Sequence, residues 1–236
     1  MIPAAGRGVR LGPGAPKALR GLGGTPMLIH AVRAMAASRA VSLVVVVAPP
    51  DGAGEVKNLL DEHALPQRTD YLVVPGGETR QESVRLGIEA LPEGITTVLV
   101  HDAARPLVPV DTVDAVVDAV RDGAVAVVPA LPVSDTVKQV EPRPKGEPEP
   151  VVATPDRATL RAVQTPQGFD RATLQLAHET VVQRGEGATD CAGMVEQLGS
   201  PVVVVPGHEE AFKVTRPLDL VLAEAVLARR RANDEF

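Results

Sequence analysis

Five short, almost wholly apolar runs recur along the chain, and helical periodicity fills the intervals between them. The runs are Val41–Ala48, Tyr71–Val74, Thr96–His101, Val125–Pro129 and Pro201–Val205. They are rich in β-branched residues and too short for buried helices, so they read as strands covered on both faces. In the first helical interval Thr25 reads as N-cap and Pro26 as the first helical residue, with Leu28, Ala31, Val32 and Met35 on one face. In the second, Thr79-Arg80-Gln81-Glu82 has the spacing of a capping box, followed by Val84, Ile88 and Leu91. A third helix starts at Asp111, with Val113, Val116, Val117 and Val120 in register. The last runs from Thr215, with Leu218, Val221, Leu222, Ala225 and Val226 along one side. This alternation predicts a Rossmann-like α/β fold, a mostly parallel sheet with helices on both faces. Ligands of such folds bind at the carboxyl ends of the strands, so the loops that follow strands carry the chemistry.

Composition removes several function classes. The aromatic residues are Tyr71, Phe169, Phe212 and Phe236, without tryptophan, which leaves no stacking platform for single-stranded nucleic acid. Lys and Arg number 24 against 30 Asp and Glu, so the net charge of −6 opposes generic binding to a phosphate backbone. Cys191 is the single cysteine, so neither an internal disulfide nor a cysteine metal cluster can form. No apolar run approaches the roughly 18 residues of a membrane helix. No basic segment followed by an apolar stretch opens the sequence, so a cytoplasmic protein is expected.

One stretch breaks the rhythm. Residues 133–157 include Pro142, Pro144, Pro148 and Pro150, interleaved with charged residues, and helix is excluded there. Two readings stand: a solvated surface loop, or a β-arm with strands at Thr136–Val140 and Val151–Ala153. An isolated two-stranded hairpin is marginal in water, so an arm would need a partner.

The first strand, cut short at Met1 or beginning before it, leads into Pro3-Ala4-Ala5-Gly6-Arg7-Gly8-Val9-Arg10-Leu11-Gly12-Pro13-Gly14-Ala15-Pro16-Lys17. Ala4, Ala5, Gly6, Gly8, Gly12 and Gly14 let the backbone approach a ligand closely. Backbone N–H groups together with Arg10 and Lys17 make an oligophosphate cradle. Gly6, Gly8 and Gly12 miss the dinucleotide spacing by one residue. Lys17 lacks the glycine and hydroxyl residues that flank the lysine of a P-loop.

This loop resembles that of nucleotidyltransferases that activate sugars and polyols. Four further motifs follow in order: His101-Asp102-Ala103-Ala104-Arg105-Pro106, Leu131-Pro132-Val133-Ser134-Asp135-Thr136, Gln164-Thr165-Pro166-Gln167 and Lys213-Val214-Thr215-Arg216-Pro217. Together they resemble the 2-C-methyl-D-erythritol 4-phosphate cytidylyltransferase family, from Ile2 to about Leu227. The resemblance implies the nucleotide-diphospho-sugar transferase type of fold, as a single domain over residues 1–236. It also implies a protruding β-arm at 133–157 that swaps across a homodimer. The implied reaction joins CTP to the polyol phosphate, giving the CDP-linked polyol and pyrophosphate in non-mevalonate isoprenoid biosynthesis. The attacking phosphate is already an anion near neutral pH, so catalysis is expected from positioning and charge neutralisation.

The residue roles follow from the same resemblance. Arg10 and Lys17 stabilise charge on the α-phosphate and the leaving pyrophosphate. Lys213 and Arg157 orient the incoming phosphate, Arg157 from the neighbouring subunit. Pro3, Ala4, Ala5, Gly6, Gly77, Glu78, Ser83, Asp102 and Ala103 contact the nucleotide, with Gly77, Glu78 and Ser83 at the cytosine edge and Arg80 fixing that loop. Asp102, Arg105, Thr136, Arg157, Thr165, Thr189 and Lys213 contact the polyol phosphate. The cofactor is Mg²⁺, held mainly by the CTP phosphates, with Asp102 the nearest acidic support. His101 reads as a packed strand-end residue. Cys191 stands where the family commonly has an acidic residue.

Three alternatives share parts of this pattern. A ribitol 5-phosphate cytidylyltransferase has most of the same motifs. A molybdopterin or sugar nucleotidyltransferase has the loop but not the swapped arm. A regulatory nucleotide-binding protein would not require Arg10, Lys17 and Lys213 around one reacting phosphorus.

Overall fold

Each of the five apolar runs overlaps a strand. The computed structural model describes residues 1–6, 16–63, 65–66, 69–184 and 189–233, apart from the side chains of Lys17 and residues 182–184. In chain order, β1 (Ile2–Pro3) is followed by a small hairpin of β2 (Gly21–Leu22) and β3 (Thr25–Pro26). Next come α1 (Met27–Ala37), β4 (Leu43–Ala48), α2 (Ala53–Asp61), β5 (Asp70–Pro75), α3 (Arg80–Glu89), β6 (Thr97–Val100) and α4 (Val110–Arg121). The second half has β7 (Ala126–Pro132), β8 (Gln139–Val140), β9 (Val151–Ala153), β10 (Arg161–Val163), β11 (Gln167–Asp170), α5 (Arg171–Arg184), α6 (Cys191–Gln197), β12 (Val203–Pro206) and α7 (Pro217–Ala232).

β1, β4 and β5 run parallel, with β4 in the middle. β11 lies antiparallel between β6 and β7, and β12 runs parallel along the other edge of β7. β10 pairs antiparallel with Ala130–Pro132 at the far end of β7. Two hydrogen bonds join these groups: the Met1 amino group donates to Leu99 O at 2.7 Å, and His101 N donates to Met1 O at 2.9 Å. The strand order is therefore β5-β4-β1-β6-β11-β7-β12, with β11 the antiparallel member.

The period of two along β4 divides the core. Val44 and Val46 pack with Leu28, Val32 and Met35 of α1 and Val113, Val116 and Val117 of α4. Val45 and Val47 point the other way, to Val84 and Ile88 of α3, Leu174 and Ala177 of α5, and Met194 and Val195 of α6. A third cluster of Leu22, Met27, Leu107, Val214, Ala223 and Leu227 seats α7. Burial of apolar surface at roughly 25 cal/mol per Å² makes these layers the main stabilising term.

Three local expectations need correction. Thr25 and Pro26 belong to β3, not to a helix start. Gly23 and Gly24, at φ 57° and 84°, turn the chain back in two residues, so Thr25 pairs with Leu22 and α1 begins only at Met27. The capping box at Thr79 is half formed. Thr79 Oγ1 accepts from Glu82 N at 3.0 Å, but the Glu82 carboxylate accepts from Glu78 N at 2.9 Å instead of from Thr79. Most of the apolar stripe expected to seat the last helix faces solvent: Leu218, Val221 and Leu222 are 75%, 62% and 52% exposed, and of that stripe Val226 packs against the core. α7 packs through Leu220, Ala223, Val226 and Leu227 instead.

The proline-rich stretch forms β8 and β9, an antiparallel pair that joins neither large sheet. Residues 141–150 between them are exposed, as are Val151 and Val152. Arg157, at the end of this ribbon, donates from Nη1 to Ser134 O at 2.6 Å and so closes its base.

Candidate active site at the carboxyl ends of the strands

The ends of β1, β5 and β6 and the segment after β12 surround a cleft of about 280 Å³. It is lined by Pro3, Ala4, Ala5, Gly6, Ala18, Gly77, Glu78, Thr79, Arg80, Ser83, Asp102, Ala103, Ala104 and Lys213. Ala4 N donates to Val47 O at 2.8 Å, which extends the β1–β4 pairing into the first loop. Val214 N donates to Ala104 O at 2.8 Å, which brings Lys213 across to the end of β6.

One side of the cleft is backbone pinned to the first turn of α3. Gly76 N donates to Ala48 O at 2.8 Å. A Cβ at Gly76 would lie 2.8 Å from Ser83 Oγ and 3.0 Å from Ala48 O, so only glycine fits. A Cβ at Gly77 would overlap the Glu82 carboxylate. Ser83 Oγ donates to Thr79 O at 2.9 Å and accepts from Gly77 N at 3.2 Å. Gly77 O, at 3.4 Å, is a second acceptor for the same proton, so the hydroxyl proton is engaged by backbone carbonyls and a lone pair is left to accept.

The other side is charged. Asp102 Oδ2 lies 2.7 Å from Lys213 Nζ and 4.0 Å from Arg105 Nε, and Asp102 Oδ1 lies 3.5 Å from Arg80 Nη2. Burial alone would raise the Asp102 pKa, but Lys213 and Arg80 overcome it and lower it to about 2. The carboxylate is thus ionised at any physiological pH. Arg105 is held by two carbonyls, donating from Nη1 to Ala211 O at 2.6 Å and from Nη2 to Val163 O at 3.3 Å. Its Nε is buried without a hydrogen-bond partner among the described residues. The guanidinium of Arg80 also meets Cys191, with Nη1 3.8 Å from Sγ. Burial pushes the Cys191 thiol up to about 11 against the opposing pull of Arg80, so it stays neutral.

Behind this charged side lies the segment Gln164-Thr165-Pro166-Gln167, whose polar side chains are almost fully buried. Each reaches a different loop. Gln164 Nε2 donates to His208 O at 2.9 Å, and its Oε1 accepts from His208 N at 3.0 Å. Thr165 Oγ1 accepts from Asp102 N at 3.0 Å. Gln167 Nε2 donates to Asp190 Oδ2 at 2.6 Å, while Asp190 caps α6 through Gly193 N at 2.8 Å. Gly207 lets the first of these loops come close, since a Cβ there would strike Gln164 Oε1 and meet backbone atoms of Ala130 at 3.0 Å.

The sequence profile described as IspD, 2-C-methyl-D-erythritol 4-phosphate cytidylyltransferase, matches residues 1–229. The chain belongs to this family. The enzyme of that name from Streptomyces coelicolor is 82% identical over all of this chain and 87% of its own length. The crystal structure of the same enzyme from Thermus thermophilus is 37% identical, with a TM-score of 0.74 over 95% of this chain and 96% of that one. A 4-diphosphocytidyl-2C-methyl-D-erythritol synthase from Anaerococcus prevotii superposes with a TM-score of 0.81 at 26% identity, over 96% of both chains.

Of the nucleotide residues expected of a family member, Pro3, Ala4, Ala5, Gly6, Gly77, Glu78, Ser83, Asp102 and Ala103 all line the cleft, and so does Lys213. Arg10 and the side chain of Lys17 lie outside the described residues. Arg105, Thr136, Arg157, Thr165 and Thr189 do not line the cleft. Arg105 and Thr165 stand directly behind Asp102, Thr189 precedes the α6 cap, and Thr136 and Arg157 sit on the exposed ribbon. Ala18, Thr79 and Ala104 were not expected in the lining. Nor was the direct contact of Arg80 with Asp102; the sequence signal for it was only its position at the start of α3 after a strand. Among the described residues no three His, Cys, Asp or Glu side chains converge as a metal cage. The cleft offers the separate carboxylates of Asp102 and Glu78. With Oδ2 of Asp102 already held by Lys213, this donor set fits a hard cation borne mainly by substrate phosphates.

Proposed function

We propose that the chain transfers CMP from CTP to 2-C-methyl-D-erythritol 4-phosphate, releasing pyrophosphate and giving 4-diphosphocytidyl-2-C-methyl-D-erythritol for isoprenoid precursor synthesis. The observation that carries this reading is the cleft itself. A close-packed glycine backbone on one side faces a carboxylate ringed by cations on the other, in a chain 82% identical to an enzyme named for this substrate.

In this reading the cytosine lies against Gly77, Glu78 and Ser83, where the free lone pair of Ser83 Oγ accepts from the base amino group. The triphosphate runs along Pro3–Gly6 toward Arg10 and Lys17. The polyol phosphate lies toward Asp102, where Lys213 directs its phosphate at the α-phosphorus. The attacking oxygen is already anionic, so no side chain has to remove a proton. The chain's task is to hold two anions together and to neutralise the charge that builds on the leaving pyrophosphate. Mg²⁺ would be held by the CTP phosphates with Asp102 as its nearest carboxylate, and it supplies charge neutralisation there.

We assign residues 133–157 as an arm that completes the cleft of a second copy, with Thr136 and Arg157 meeting the polyol phosphate of the neighbour. The support is that, among the described residues, the β8–β9 ribbon pairs with no other strand and Thr136 and Arg157 are not part of their own cleft's lining. A cytoplasmic location fits the free, buried cysteine.

Pyrophosphate release tests the reading. CTP and Mg²⁺ with methylerythritol phosphate should give release, and ribitol 5-phosphate should give little. Release with ribitol phosphate alone would overturn the substrate, and release with neither would overturn the enzyme.

A further inference from the structure

His101 ends the run of β6 one residue before Asp102 and is completely enclosed. Three hydrogen bonds pass through it and Thr165. Asp102 N donates to Thr165 Oγ1 at 3.0 Å, Thr165 Oγ1 lies 3.0 Å from His101 Nδ1, and His101 Nε2 lies 3.1 Å from Arg105 O. With the ring neutral, as its complete burial favours, the two ends dictate the direction, because a backbone N–H only donates and a carbonyl only accepts. Thr165 Oγ1 therefore accepts from Asp102 and gives its one proton to His101 Nδ1. His101 is then the neutral tautomer whose Nε2–H donates to Arg105 O. That assignment is inferred from the partners and satisfies all three links.

The chain begins and ends on residues of the charged side of the cleft, and Arg105 N also donates to Asp102 O at 2.9 Å. His101 and Thr165 thus close a ring behind the Asp102–Arg105 turn, while neither lines the cleft. We infer that His101 and Thr165 are positioning residues: they set the Asp102–Arg105 turn and so hold the Asp102 carboxylate where it meets Lys213. Thr165 acts on the polyol phosphate through Asp102, since its proton goes to His101 and is not free for a phosphate oxygen. The inference rests on the reading that the polyol phosphate binds at this end of the cleft.

The test compares Thr165→Val and His101→Leu, which remove the chain, with Thr165→Ser and His101→Asn, which keep an acceptor or hydroxyl at the critical atom. KM is measured for CTP and for methylerythritol phosphate separately. The first pair should raise KM for the polyol phosphate about tenfold or more with KM for CTP changed less than about twofold. The second pair should restore most of the difference. A purely structural role predicts less active protein with both KM values unchanged, and that result would overturn the inference. A second readout needs no turnover. The rate at which an amine-reactive ester labels Lys213, read by peptide mass spectrometry, should rise several-fold in Thr165→Val while Lys138 on the ribbon stays constant. An unchanged Lys213 rate would also overturn it, whatever substrate the wild type accepts. If the wild type released no pyrophosphate while Lys213 labelling rose, the positioning role would stand and the substrate reading would fall.

Discussion

Lys213 Nζ rests 2.7 Å from Asp102 Oδ2, although 111 residues separate the two in the chain. The pair ties the end of β6 to the segment after β12, so the ammonium waits at the cleft instead of sweeping solvent. Arg80 and Arg105 share the same carboxylate. Asp102→Asn keeps the shape and removes the common counter-ion of three cations. It should lower kcat/KM for the polyol phosphate about a hundredfold, or ~2.7 kcal/mol, at saturating CTP. A variant in which only the KM for CTP moved would contradict this placement of the two substrates.

Base choice should depend on Ser83. With its proton engaged by the Thr79 and Gly77 carbonyls, the hydroxyl is better placed to accept from a cytosine amino group than to donate to a uracil carbonyl. Ser83→Ala should cut the ratio of kcat/KM for CTP over UTP about tenfold. An unchanged ratio would move the base edge elsewhere in the cleft.

The shared-site reading makes a prediction about mixed subunits. Lys17→Ala and Arg157→Ala homodimers should each lose about 10²–10³ in kcat, the scale of a lost transition-state donor. Mixed under conditions where subunits exchange, they should regain activity, because one cleft of each heterodimer is intact. Mixtures no more active than the parents would argue that each cleft is complete within one chain.

Two glycines should respond in opposite ways. Gly207→Ala drives a methyl group against Gln164 and the Ala130 backbone and should destabilise by about 1–3 kcal/mol. Gly54 lies in the first turn of α2, and a methyl group added there would meet nothing within 4 Å, so Gly54→Ala should be neutral or stabilise by up to about 1 kcal/mol. Urea midpoints of the two variants read both signs at once.

Asp219 should give stability a pH dependence. Its carboxylate accepts from Thr215 N and Arg216 N, each at 2.7 Å, and from Thr215 Oγ1 at 2.9 Å, at the start of α7. The Thr215 N–H is the main cause of a pKa below the ordinary 3.8, with slight burial opposing it. A lowered carboxylate pKa stabilises above the unfolded value and loses that contribution as pH falls through the folded one. Asp219→Ala should therefore cost about 1 kcal/mol near pH 7, as for a lost helix cap. The difference from wild type should shrink as pH drops below 3.8. A difference that persisted unchanged at pH 2 would rule out the carboxylate as its source.

The sheet was readable because Val44–Val47 and their counterparts in β6 and β7 are apolar at consecutive positions, which only a two-sided strand explains. The cleft's backbone side was readable for a similar reason, since close-packed glycines and alanines after a strand have few other uses. α7 was not, because two apolar stripes compete on it. Leu218, Val221 and Leu222 stand at i, i+3, i+4 and Leu220, Ala223 and Leu227 at i, i+3, i+7, both of which line one helix face, and only the position of Leu22 and Leu107 decides between them. Thr25 misled because a cap and a hairpin residue look alike until Gly23 and Gly24 are seen to turn the chain. The roles of His101, Thr165 and Arg80 were hidden because each depends on partners far away in sequence: Thr165 is 64 residues from His101, and Arg80 is 111 from Cys191.

Gln164, Thr165 and Gln167 fasten three separate loops to four consecutive residues. Substrate preference in this scaffold therefore cannot be rebuilt by grafting one loop at a time. A transplanted loop would meet a fastening cut for its predecessor, and the mismatch would spread to the other two. Chimeras that exchange the segment together with all three loops should outperform any single-loop graft, and lineages that diverge in substrate should alter these positions in concert.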